Sequence, residues 1–154
     1  MYYINYMNKL QKGIEYEKYI QNIIKDNYKN CYLWNEIPNN ILDTRFYKDN
    51  KICDDIGCDI IGINHNDSID YIQCKNYSTT GEDNVITIYD LAGFYNFVAE
   101  NNIVNSIVYY SGRLSQQIKC RQKWIIILIN NSSSMEWNSN KKLCIIIQFL
   151  YLKN

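Results

Sequence analysis

Apolar residues recur at helical spacing in two stretches of the chain and at strand spacing between and after them. In residues 9–28, Tyr16, Ile20, Ile23, Ile24 and Asn27 form one stripe, with Lys18, Gln21, Asn22 and Lys25 off it, which predicts an amphipathic helix. Residues 31–37 (CYLWNEI) predict a strand, stopped by Pro38 and the Asn39-Asn40 pair. Residues 39–55 are polar and read as a loop. Residues 58–64 and 69–77 are rich in β-branched and aromatic side chains, and the turn-forming run 64–68 joins them as a hairpin. After a loop at 78–84, residues 87–101 carry Ile88, Leu91, Ala92, Tyr95, Val98 and Ala99 on one helical stripe. Thr87 and Asp90 at its start resemble a capping box. Strands are predicted at 106–110, 124–129 and 143–152, a short helix at 113–122 and an Asn/Ser-rich loop at 130–141. The order α-β-β-β-α-β predicts an α/β fold: a mixed central β-sheet flanked by helices.

Length and composition narrow the class. A chain of 154 residues suits one domain, and 47% hydrophobic against 21% charged residues excludes wholesale disorder. One Pro and 6 Gly exclude a collagen-like or linker-rich chain. The pattern divides into a core over residues 1–120 and a C-terminal extension, 121–154, packed on the same domain. Net charge is zero but unevenly spread. Residues 1–100 hold 9 basic and 15 acidic side chains, and residues 101–154 hold 7 and 1. Such a basic third marks either a polyanion contact or only AT-rich codon usage, which favours Lys, Ile, Asn and Tyr together. Arg113, Lys119, Arg121 and Lys123 are its densest cluster and the candidate DNA-phosphate contacts.

Residues 1–12 contain no apolar run, so the sequence predicts an intracellular rather than a secreted protein. The apolar runs at 124–129 and 143–152 fall short of the roughly 20 residues that span a bilayer, so no membrane partner is expected. The six cysteines lack paired CxxC spacing, which points to reduced, buried thiols and not to a zinc site. His65, the single histidine, falls in the hairpin turn, an unsuitable place for a general base.

The chemistry concentrates in Asp54-Asp55-Ile56-Gly57-Cys58-Asp59-Ile60-Ile61-Gly62 and Gln73-Cys74-Lys75. Strand alternation puts Ile69, Tyr71, Gln73 and Lys75 on one face and Ile72 and Cys74 on the other. Polarity therefore begins abruptly at Gln73, midway along an apolar side. The central turn allows Asp59 to face Gln73, bringing an acid, an amide oxygen and an ammonium to one patch. A solvated strand face or a turn aspartate would show the same residue types, without that abrupt onset. The patch suits phosphodiester hydrolysis with Mg2+ (or Mn2+). A hard cation takes oxygen ligands, here the Asp59 carboxylate, the Gln73 side chain and the Cys74 backbone carbonyl. Lys75 would orient the attacking water or stabilise the phosphorane.

The runs Asp55-x-Gly57-x-Asp59-Ile60-Ile61 and Tyr71-Ile72-Gln73-Cys74-Lys75-Asn76-Tyr77 resemble the PD-(D/E)XK nuclease superfamily. Within it they are most similar to the Mrr-like restriction endonuclease group, in which Gln replaces the third-motif acid. Gly13-Ile14-Glu15-Tyr16-Glu17-Lys18-Tyr19-Ile20 resembles that group's opening helix, and residues 86–97 resemble the helix after the QxK strand. The resemblance spans roughly residues 13–118. It implies a restriction-endonuclease-like core and a metal-dependent DNA endonuclease. Asp59 is then the metal-binding acid, Gln73 the substituted acid, Lys75 the catalytic lysine, and Glu17 the helix carboxylate that reaches the metal, commonly through water. Periodicity alone admits Glu15 or Glu17, on opposite borders of the apolar stripe; the resemblance selects Glu17. DNA is the implied partner. A homodimer and, in longer relatives, a helicase module are compatible further partners. A nuclease fold that binds DNA without cutting is the alternative.

Overall fold

The computed structural model describes residues 2–49, 51–53, 57–77, 85–120 and 125–128. The expected loops at 78–84 and 130–141 and the expected strand at 143–152 lie outside these residues, as do Arg121 and Lys123.

The fold is mixed α/β. Its elements in chain order are α1 (Tyr2–Ile24), β1 (Asn30–Leu33), β2 (Tyr47–Lys48), β3 (Lys51–Ile52), β4 (Ile60–Ile63), β5 (Ile69–Asn76), β6 (Val85–Ile86), α2 (Ala92–Glu100), β7 (Ser106–Ser111), β8 (Arg113–Leu114), α3 (Gln116–Cys120) and β9 (Ile125–Leu128). The central sheet runs β1-β4-β5-β7-β9. The first two pairings are antiparallel and the last two parallel. Parallel strands need a crossover, and α2 supplies it between β5 and β7. β9 joins the sheet from beyond residue 120, where the sequence pattern drew a boundary.

Alternation along the strands divides the core in two. Ile60, Ile72, Cys74, Ile107 and Tyr109 pack under Tyr16, Ile20 and Ile24 of α1. Ile61 and Val108 face the other way, against Leu91, Phe94 and Phe97 around α2. Each fully buried Ile or Leu contributes about 1.5–3 kcal/mol. Among these, Ile20, Ile60, Ile61 and Ile72 expose no surface at all.

Five expectations need correction. The first helix starts at Tyr2, seven residues earlier than the apolar stripe suggested. The 31–37 strand ends at Leu33, because Trp34–Glu36 turn as a 3-10 helix and bury the Trp34 ring. The described part of the supposed loop at 39–55, residues 39–49 and 51–53, is ordered by that ring. Trp34 meets Phe46 edge-on at 6.0 Å and Phe97 at 5.8 Å, and its indole N–H donates to the Cys53 carbonyl at 2.8 Å. The helix expected over 87–101 is α-helical only over Ala92–Glu100, after a 3-10 turn at Tyr89–Leu91, and its buried face is Leu91, Phe94 and Phe97, leaving Ala92, Tyr95 and Ala99 exposed. The described part of the helix expected at 113–122, residues 113–120, divides into strand β8 and the shorter α3, since the Arg113 segment pairs with β6. Among the described residues, Cys31, Cys53, Cys58 and Cys74 are thiols that form no disulfide. Among the described residues no helix is long and apolar enough to cross a membrane.

Gly13 lies inside α1, and a Cβ there would meet nothing within 4 Å. Gly13→Ala is therefore expected to stabilise the fold by about 0.5–1 kcal/mol, by removing backbone freedom from the unfolded chain. A urea titration checks this; an unchanged or lower midpoint contradicts it.

Candidate active site

The candidate residues meet where β4 stops and β5 runs on. β4 pairs with β5 through Ile60↔Ile72, and one further step along that register sets Asp59 across from Gln73. The Asp59 backbone is pinned from both sides. Its N–H donates to the Ile72 carbonyl at 2.9 Å, and its carbonyl accepts the Trp34 N–H at 2.8 Å. With the main chain fixed, the side chain turns back across β5. Asp59 Oδ2 accepts the Cys74 backbone N–H at 2.5 Å and the Gln73 side-chain amide. The carboxylate thus bonds a ladder position that β4 is too short to reach.

Gln73 is only 5% exposed, one of two buried polar side chains in the described core. A buried amide without partners would cost about 1–3 kcal/mol, and the Asp59 carboxylate offsets that cost. Its amide nitrogen also lies 3.5 Å from the Cys74 carbonyl oxygen. Rotating the amide by half a turn exchanges its nitrogen and oxygen. The oxygen then occupies the position beside Asp59 Oδ2.

Cys74 reports on its surroundings. Its thiol is held well above the usual cysteine range, first by burial and then by the charges of Asp59 and Glu17, with Lys75 opposing them. Three charged candidates, from α1, β5 and the segment before β4, therefore act on one residue. The raised pKa also keeps the thiol protonated and unsuited to nucleophilic attack. Glu17 is half-buried on α1, the helix on the sheet face opposite α2. Glu15 is exposed and accepts a bond from Gln11 of the same helix at 3.0 Å.

Lys75 is half-buried two residues beyond Gln73 and lies in the electrostatic field of Asp90. Asp90 is the element the sequence pattern placed correctly but read too narrowly. Its carboxylate takes the Thr87 N–H, as a capping box requires. It also binds the Thr87 hydroxyl and the Tyr77 hydroxyl. Tyr77 is two residues past Lys75, so period-2 alternation carried one step further would have found it. Ser111, buried on β7, gave no signal in the sequence.

Arg113 is exposed on β8, and Lys119 belongs to α3. His65 is exposed in the hairpin turn, as expected. An open cleft of about 390 Å³ lies between the 45–53 segment and α2, but Glu17, Asp59, Gln73 and Lys75 do not line it. Among the described residues no group of three or more His, Cys, Asp or Glu side chains is gathered to hold a metal ion. The donors at the strand end are instead a carboxylate, an amide and a backbone carbonyl. These are hard oxygen ligands, which suit Mg2+ or Mn2+ and not zinc. No protein-family model, no curated protein and no solved structure matches the chain.

Proposed function

We propose that this chain is a metal-dependent DNA endonuclease domain with a restriction-endonuclease-like core, of the QxK type seen in Mrr-like enzymes, hydrolysing phosphodiester bonds. The observation that carries this reading is the Asp59 carboxylate bonded across the hairpin to Gln73 and Cys74, with Lys75 next along the strand. Asp59, the Gln73 amide oxygen and the Cys74 carbonyl would hold Mg2+ or Mn2+, with Glu17 contributing directly or through water. When bound, such an ion neutralises phosphate charge and acidifies a water. Lys75 orients the attacking water and meets the negative charge that grows on the phosphorane. The Trp34 and Ile72 contacts fix the Asp59 main chain from which the carboxylate projects.

A second reading, a nuclease-fold module that binds DNA without cutting, is favoured by one feature. The Gln73 amide donates to Asp59, so the pair is satisfied without a cation. Incubation of supercoiled plasmid with Mg2+ or Mn2+ separates the two. Nicking or linearisation supports the nuclease, and binding with no cutting supports the module.

Charge balance at Gln73 gives a sharper expectation. Gln supplies a neutral oxygen where Glu would supply a full charge. Glu17→Gln is therefore expected to weaken Mn2+ binding by about tenfold or more, nearly as much as Asp59→Asn. Glu15→Gln should change it less than about twofold, because Glu15 is occupied along its own helix. Gln73→Glu should tighten it. Isothermal titration of the four variants decides; equal behaviour of the Glu15 and Glu17 variants removes Glu17 from the site.

A further inference from the structure

The alternation that presents Gln73 and Lys75 continues to Tyr77, whose hydroxyl donates to Asp90 Oδ1 at 2.5 Å. Asp90 Oδ2 accepts the Thr87 N–H and the Thr87 hydroxyl, each at 2.6 Å. Three donors from two segments fix one carboxylate in one orientation. The strand itself is anchored from the other side. The Ser111 hydroxyl, fully buried on β7, accepts the Tyr77 N–H at 2.9 Å. It also lies within hydrogen-bond distance of Asn76 Oδ1 and of the Tyr77 carbonyl, at 3.0 and 2.9 Å. Lys75 therefore lies on the same strand face as Tyr77, two residues before the tyrosine that fixes Asp90, and in the field of that anion. Ordering a free lysine side chain costs rotamer entropy, and a fixed anion in its field offsets that loss.

We propose that Asp90, clamped by Thr87 and Tyr77, is a positioning residue that holds the Lys75 ammonium beside the Asp59–Gln73 pair. It touches no substrate and acts only through Lys75. Burial and the Asp90 carboxylate push the Tyr77 hydroxyl up to about 12, so it remains a donor to the clamp at neutral pH. The hydrogen bonds from Thr87 and Tyr77 outweigh burial and hold the Asp90 carboxyl below the usual range, so it remains an anion. The catalytic consequence rests on the nuclease reading; the positional claim does not.

Two measurements test this on the full chain. The first is NMR relaxation of the Lys75 side chain in metal-free protein, with exposed Lys51 as reference. Asp90→Asn is expected to lower Lys75 order to the level of Lys51, and Tyr77→Phe to lower it partway. The second is plasmid cleavage with Mn2+. There Asp90→Asn should reduce kcat by about tenfold or more, while KM for DNA moves less than about twofold. Unchanged Lys75 order in a folded Asp90→Asn variant overturns the proposal, as does an unchanged kcat in an active enzyme. If Asp90→Asn does not fold, unchanged order in Tyr77→Phe overturns it equally. Loosened Lys75 in a chain whose wild type never cuts sustains the positioning and overturns the nuclease reading instead.

Discussion

Replacing Lys75 by alanine is expected to abolish plasmid cleavage, a loss of at least about a thousandfold, while leaving the fold and most DNA affinity in place. The side chain is half-buried at the end of β5 and is not part of either apolar core, so its removal opens no cavity. Its proposed work is done on the water and the transition state, not on the duplex. Asp59→Asn serves as the companion. It keeps an acceptor for the Cys74 N–H but loses the charge, so cutting and Mn2+ binding should fall together. Thermal melting and gel-shift affinity control for folding and binding. Undiminished cleavage by either variant, with wild-type contamination excluded, sinks the mechanism.

The second large effect is structural and lies in the same motif. Gly57 has φ of +89°, a conformation that L side chains rarely adopt. A Cβ placed there would stand 2.7 Å from the Gly93 carbonyl carbon and 2.7 Å from the Phe94 nitrogen, both backbone atoms. Left-handed strain costs an alanine about 1–2 kcal/mol, and overlap with a main chain that cannot yield costs about 1–3 more. Gly57→Ala is expected to destabilise by about 3 kcal/mol, lowering the melting temperature by roughly 10 °C. A melting curve within about 2 °C of wild type would show that the segment before β4 does not pack on α2 as described. The glycine of the D-x-G-x-D run thus owes its place to geometry, two residues ahead of the carboxylate it helps to set.

The two halves of the site differ in how far the sequence disclosed them. The Asp59–Gln73 pairing was legible because a short turn and period-2 alternation leave few registers. Glu17 was not legible from periodicity, since a helix border admits either neighbour. What separates it from Glu15 is where α1 crosses the sheet, a tertiary fact. The ordering of 39–49 and 51–53 escaped the pattern for the same reason. Leu42 and Phe46 are apolar residues in a polar stretch, and they are buried in the cluster that holds the Trp34 and Phe97 rings. Ser111 shows the limit from the other side. A serine in an apolar strand carries no mark of burial until its partners on β5 are known.

The strand order also dictates a sequence of events in time. β4 and β5 are neighbours along the chain and close over a short turn, so Asp59 and Gln73 can meet early in folding. β7 must wait for α2 to cross the sheet, and β9 comes later still in the chain. On a nascent polypeptide the acid–amide pair would assemble first, whereas the Tyr77–Ser111 anchor beyond the lysine forms only when β7 docks. Pulse-labelled amide exchange during refolding should accordingly find the Cys74 N–H protected before that of Tyr77. A site assembled in that order stays incomplete until nearly the whole sheet has formed.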